Sequence, residues 1–168
     1  MEGSRGLGDV YKRQDKKIIR SMPNTAISVR KSLTCICSND SGLPFLDLCI
    51  SIFNSVGKAI IIDESKMQSA TVMCASGIAF WMRIIRAMAQ GGVELGFEAK
   101  DSLEISYRTA QGAISLLEKN KTHPEEEIDK VTTPSGCTIK GIIEMENKGL
   151  SSAIIHGLIS SHEKINNI

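Results

Sequence analysis

The residues best placed to do chemistry lie between Lys121 and Lys140, in the stretch KTHPEEEIDKVTTPSGCTIK. Thr122 reads as the N-cap of a short helix, with Glu125 closing a capping box and Pro124 in the first turn. Thr132, Thr133, Pro134, Ser135 and Gly136 break that helix. Ile139, Ile142 and Ile143 then restart a helical period. The backbone N–H groups of Gly136, Cys137 and Thr138 are expected to stand unpaired at the new helix start, among hydroxyls. Such a place can hold a small anion, for instance a carboxylate. The same spacing also fits an ordinary helix–turn–helix connection.

The elements that must position this stretch are mostly helical. Ser65–Cys74 reads as one helix, broken by the small residues Ala75, Ser76 and Gly77. Ile78 to Gln90 reads as the next, with Ile78, Trp81, Ile85, Met88 and Ala89 in an apolar stripe, ended or frayed by Gly91-Gly92. Lys100–Lys119 carries Leu103, Tyr107, Ala110, Ile114 and Leu117 in register. Helices are also expected over Thr138–Asn147 and Ser151–Ile165, with Ile154, Ile155, Leu158 and Ile159 facing inward on the last. The Trp81 helix and the last helix are apolar on several faces, so several faces need cover, which predicts a partner chain.

Before Ser65 the pattern differs. Lys17–Met22 and Ser32–Cys37 read as strands. Phe45–Val56 reads as a helix with Leu48, Cys49, Ile52 and Phe53 on one side, stopped by Gly57. Lys58–Ile62 reads as a buried strand. A β-β-α-β segment cannot cover its own sheet and reads as the last part of an α/β domain. The expected organisation is a tail over residues 1–14, an α/β remnant over 15–64 and an all-helical domain over 65–168. The fold class is mostly α. The tail has no hydrophobic period, and Asp9–Gln14 resembles a translated sequencing adapter. It is expected to be non-native or disordered.

Composition narrows the function classes. The 168 residues are 42% hydrophobic but only 4% aromatic, so the core must be aliphatic. Twenty basic against nineteen acidic residues leave +1, which makes no electrostatic case for nucleic acid or a membrane surface. The apolar run Ile78–Met88 is interrupted by Arg83 and Arg86, too short and too charged to span a bilayer. Five scattered cysteines predict reduced thiols in a cytoplasmic protein, with no zinc spacing. His123, His156 and His162 read as structural or solvent-facing, and Glu125-Glu126-Glu127 as a solvated helix start.

Together, these pieces resemble pyrroline-5-carboxylate reductase. HPEEEIDKVTTPSGCTIKGIIEME is similar to that family's signature around D-x-V-x-S-P-G-G-T-T. Arg20–Thr25 resembles R-x-M-P-N-T, Val56-Gly57-Lys58 resembles V-G-K, Asp63–Met67 resembles D-E-x-x-M, and Thr71–Phe80 aligns with T-A-L-S-G-S-G-P-A-Y. The resemblance runs from Lys17 to the C-terminus and covers only the later part of the family's length. It implies hydride transfer from NADPH or NADH to the C=N carbon of 1-pyrroline-5-carboxylate, giving L-proline. It also implies that the β-β-α-β segment is the remnant of an NAD(P)-binding Rossmann-like domain, and that the protein is a homo-oligomer, dimer or higher, interlocked through the helical domain. By resemblance Thr138 is catalytic, and Glu64, Thr133, Gly136, Cys137 and Thr138 bind substrate. Asn24 and Lys130 stand near the cofactor. This chain departs from the pattern at Thr133, Ser135 and Cys137 in the loop, at Cys74, Ala75 and Ile78, and at Ala26. A non-catalytic helical oligomerisation module derived from the family is the alternative. A related dehydrogenase would need a Lys/Asn pair on the Trp81 helix, which offers arginines instead.

Overall fold

A computed structural model describes residues 16–166. The tail expected over 1–14 lies outside them, as does Asp15.

β-branched and sulfur-bearing residues build a three-stranded sheet. Strands β1 (Ile19–Met22), β2 (Ser32–Ser38) and β3 (Gly57–Ile61) lie in the order β1-β2-β3. β1 pairs antiparallel with β2, placing Arg20 opposite Cys37, and β2 pairs parallel with β3, placing Cys35 opposite Ile60. Central β2 is buried along most of its length. β3, expected to be buried, has Ile61 60% exposed, because it is the edge strand among the described residues. Gly57 opens β3 because a side chain there would strike the Ser32 backbone.

Helix α1 (Leu46–Asn54) connects β2 to β3. Its inward face is Leu46, Cys49, Ile50 and Phe53, whereas the expected Leu48 and Ile52 point outward. Their outward placement corrects the sequence reading by about one helical position.

Helix α2 runs unbroken from Glu64 to Glu94. The break expected at Ala75–Gly77 is instead a π turn over Thr71–Ser76, where the chain accommodates one extra residue per turn without stopping. Small side chains let the turn widen. The helix also passes through Gly91-Gly92. An added methyl at Gly92 would strike Ser102, whose hydroxyl donates to the Ala89 carbonyl at 2.6 Å. Gly92 therefore admits close packing of α3 (Ala99–Asn120) rather than ending α2. Gly92→Ala is expected to destabilise the fold by about 1–2 kcal/mol, since a buried hydroxyl loses its acceptor. Gly91→Ala, facing open space, should not. Thermal denaturation of the two variants checks this.

α4 (Pro124–Val131), α5 (Cys137–Asn147) and α6 (Leu150–Asn166) complete the chain. Two compact units result. One combines the chain up to Ile78 with Ser160 onward; the other is Ala79–Ile159. The first has a real core of Cys35, Ile36, Cys37, Leu46, Met67, Ala70, Val72 and Cys74. Burial, then a contact with Cys74 at 3.4 Å, pushes the Cys35 thiol up to about 12, so it stays protonated. In this unit His162 also bonds Ser69 at 3.2 Å and Asn166 at 3.2 Å, a structural use.

The second unit has almost no core. Its only buried residues are Ser102 and Ser106. Trp81, Met82, Met88, Leu95, Leu103, Ile114 and Ile155 are exposed. The stripe expected to face inward on α6 faces outward: Ile154, Ile155 and Ile159 are all exposed. The period was right, but among the described residues these three side chains are left exposed. α2 is also longer than its apolar run suggests. Its apolar stretch is mostly exposed, so by length and composition alone it could cross a bilayer. That corrects the expectation of too short a span, because the π turn joins two segments into one.

Candidate functional site

The loop from Thr132 to Gly136 separates α4 from α5. Thr132 ends α4, its N–H and hydroxyl both donating to the Asp129 carbonyl. A tight turn follows, closed by Gly136 N–H donating to the Thr133 carbonyl at 2.9 Å. Pro134 at the second position and Ser135 at φ 60° give this turn the type II pattern. The Thr133 hydroxyl sits in the space that a Gly136 side chain would need, so glycine is required there. Gly136 is also the N-cap of α5 and provides no side-chain cap.

One expectation changes here. Gly136 N–H is taken by the turn, so the open donors begin at Cys137 and Thr138. Their side chains are exposed, and no acceptor among the described residues is assigned to either N–H. Two amides at the positive end of an 11-residue helix, beside the Thr138 hydroxyl, suit a carboxylate.

Ser135 occupies a left-handed conformation that glycine adopts at little cost. Ser135→Gly should raise stability by about 1 kcal/mol, measured by denaturant unfolding. By the resemblance, glycine is the family residue at this position, so backbone conformation accounts for that preference.

α4 is capped differently from expectation. His123, not Thr122, is the N-cap, its Nδ1 accepting the Glu125 N–H at 3.3 Å. Thr122 is unavailable because its hydroxyl donates to Glu127. Glu127 is not on a solvated face: its side chain is 14% exposed, and Oε1 also accepts from Lys130 at 2.6 Å and Asn120 at 3.1 Å. The Lys130, Thr122 and Asn120 bonds, in that order, bring the Glu127 pKa down to about 2. The folded value lies below the unfolded one of about 4.3. The stabilisation is therefore complete above that unfolded value and is lost as pH falls toward 2. Acid titration of thermal stability should show this loss in the wild type and a smaller one in Glu127→Gln. The Lys130 ammonium, expected near the cofactor, is thus held by Glu127.

Asn24 and Glu64 belong to the other unit. Asn24 Oδ1 caps the short turn Thr25–Val29 by accepting the Ala26 N–H at 3.0 Å. Asn24 N–H donates to the buried Ser32 hydroxyl at 3.1 Å. These bonds fix the residue, and its Nδ2 has no partner among the described residues. Glu64 opens α2, and its Oε1 accepts from Arg20 Nη1 at 2.8 Å, with both side chains more than half exposed. Cys37, opposite Arg20 in the sheet, has its thiol raised by burial first and by Glu64 second. Sequence reasoning did not single out Arg20 or Ser32. Arg20 lies inside a quoted motif, but its partner is 44 residues away. Ser32 carries no motif signal.

Comparison with known proteins places these features in one family. The family model described as pyrroline-5-carboxylate reductase dimerisation matches residues 64–168. Pyrroline-5-carboxylate reductase 2 of Dictyostelium discoideum is 48% identical over 170 residues, covering 93% of this chain and 55% of its own. Pyrroline-5-carboxylate reductase 1 of the same organism is 46% identical over 163 residues, covering 90% of this chain and 30% of its own. The chain thus spans about half the length, or less, of these curated relatives. The 1-pyrroline-5-carboxylate reductase structure from Streptococcus pyogenes superposes with a TM-score of 0.88 at 25% identity, covering 97% of this chain and 64% of that one. The Plasmodium falciparum pyrroline carboxylate reductase structure, solved with NADP bound, gives 0.86 at 24% identity, covering 95% and 65%, and supports the fold. With one family model over most of the chain and relatives of the same name, this chain belongs to the pyrroline-5-carboxylate reductase family, and residues 64–168 are the part that its dimerisation model matches.

Proposed function

We propose that this chain is the substrate-binding and dimerising part of an NAD(P)H-dependent reductase that converts 1-pyrroline-5-carboxylate to L-proline, the last step of proline synthesis. The observation that carries this reading is 46% and 48% identity, over nearly the whole chain, to two proteins named as this reductase. Residues 15–64 form the end of the NAD(P)-binding domain, and residues 65–168 form the helical domain. A second copy covers the exposed apolar faces of α2, α3 and α6. The family model over residues 64–168 favours this cover over a bilayer. Five cysteines standing free suit a cytoplasmic setting.

The roles are those the family resemblance implies, and the chemistry of each group suits them. The N–H groups of Cys137 and Thr138 receive the substrate carboxylate at the start of α5. Thr133 and Gly136 hold the turn that aims them. The Thr138 hydroxyl bonds the ring nitrogen and passes a proton as imine becomes amine. The Glu64 carboxylate favours the protonated imine, the better hydride acceptor. A reduced nicotinamide, when bound, supplies the hydride. Asn24 fits a contact to that group, since its Nδ2 has no partner among the described residues and can donate. Lys130 fits less well while Glu127 holds it.

The test is a spectrophotometric assay of the complete gene product with 1-pyrroline-5-carboxylate and either reduced nicotinamide. Oxidation of the nicotinamide that depends on the imine supports the reading. A folded, dimeric, inactive product would instead favour a non-catalytic oligomerisation module.

A further inference from the structure

We infer that Glu127 is a positioning residue for the Thr132–Gly136 loop: it locks α4 to the end of α3 and so holds the N–H groups of Cys137 and Thr138 in place for a carboxylate. The inference rests on the reductase reading and adds a residue that this reading does not use. Every residue of the lock and the loop lies within the Ala79–Ile159 unit. Three observations carry it.

The first is convergence. Glu127 Oε1 accepts from Asn120 Nδ2 at 3.1 Å, from the Thr122 hydroxyl and from Lys130 Nζ at 2.6 Å. Asn120 is the last residue of α3, Thr122 lies in the connector, and Lys130 is on α4 itself. One carboxylate oxygen thus joins three segments. Hydrogen bonds to an ionised acceptor are stronger than neutral ones. The Glu127 side chain is 14% exposed, so water competes little for it.

The second is that α4 has little else to hold it. It is 8 residues long, and none of them is buried. Glu127 and Ile128 are half-buried, and the rest of the helix is exposed. Isolated helices shorter than about 12–15 residues are marginal in water. The placement of α4 must therefore come from contacts outside it, and those of Glu127 are directional.

The third is continuity. Thr132 N–H and hydroxyl both donate to the Asp129 carbonyl, which fastens the loop to the last turn of α4. Gly136 N–H then donates to the Thr133 carbonyl at 2.9 Å, and Cys137 begins α5. Two bonded turns in succession leave little slack between α4 and the amides of Cys137 and Thr138. A tilt of α4 is passed on to those donors. A misplacement of about 1 Å can cost up to about a hundredfold in rate.

The test uses the complete protein. Glu127→Ala should raise KM for 1-pyrroline-5-carboxylate and weaken L-proline binding in calorimetry, each about tenfold. Glu127→Gln keeps an acceptor oxygen for Asn120 and Thr122 and should recover most of the loss. Thr122→Val and Asn120→Ala each remove one donor and should weaken L-proline binding about two- to threefold. Either one combined with Glu127→Ala should be no worse than Glu127→Ala alone, because both act through Glu127. Thr122→Val keeps the Lys130 bond, so KM for the reduced nicotinamide should not move. Gly92→Ala is the control for lost stability. The Ser102 that it strikes stands roughly 27 Å along α3 from Asn120 at the usual helical rise, so it should lower Tm without weakening L-proline binding. Should Glu127→Ala fail to fold, the Thr122→Val and Asn120→Ala proteins decide the matter by the same titration. Unchanged L-proline affinity in the variants of the lock, additive losses in the double variants, or a Gly92→Ala loss as large as theirs would each overturn the inference while leaving the reductase reading intact. A complete wild-type protein with neither imine reduction nor L-proline binding overturns both.

Discussion

Thr138→Ala, introduced into the complete protein, should lower kcat/KM for 1-pyrroline-5-carboxylate about a hundredfold, mostly through kcat. The hydroxyl stands at the first turn of α5, exposed and with no assigned partner, beside two open backbone donors. Alanine preserves those donors and the helix start, so the carboxylate still has its place and KM for the imine should move little. What disappears is the one side-chain group at this helix start able both to donate to the ring nitrogen and to accept from it. Loss of an interaction made chiefly in the transition state lowers kcat rather than raising KM. Thr138→Ser keeps the hydroxyl and should retain activity within about tenfold. Steady-state kinetics on the three proteins checks the pattern. Equal losses in the serine and alanine variants would show that the methyl group, and so packing, is what matters.

Trp81→Asp should abolish dimer formation at micromolar concentration, read by analytical ultracentrifugation. In a monomer this substitution would be mild, because Trp81 is 60% exposed and surface changes usually stay within about 0.5 kcal/mol. In the proposed dimer the same side chain would be covered by the second copy, and an unpaired buried carboxylate costs several kcal/mol in such a place. The expectation rests on the second unit's missing core. Between Ala79 and Ile159 only two serines are buried, while apolar side chains crowd the surfaces of α2, α3 and α6. Phe80, Arg83, Ile84, Ala153, Ile154 and Gly157 line a cleft between α2 and α6 whose surface is mostly apolar. Each large aliphatic side chain brought out of water contributes about 1.5–3 kcal/mol, so a second copy covering several would add substantially to stability. A variant that stays dimeric would place the interface away from this face of α2.

Residues that act locally were the ones legible in the sequence. The β-β-α-β order, the helical remainder and the break at Pro134–Gly136 follow from alternation, helical period and turn residues. The errors have physical causes. Ala75-Ser76-Gly77 and Gly91-Gly92 look like helix ends, yet a π turn and a close approach by Ser102 use the same small residues to continue. Ile154 and Ile155 show a correct period but no direction, because period cannot say which chain provides the cover. Thr122 and His123 exchange capping roles because Glu127 claims the threonine hydroxyl from five residues away. At the candidate site, the loop is contiguous and could be read directly. Arg20 with Glu64 and Ser32 with Asn24 are tertiary pairs, which a single sequence does not display.

The most direct measurement follows the hydride itself. The complete protein is given 1-pyrroline-5-carboxylate with a deuterium-labelled reduced nicotinamide, and the product is analysed by mass spectrometry and NMR. The account predicts L-proline carrying one deuterium at the carbon that was doubly bonded to nitrogen. No proline, or proline without the label, would contradict it.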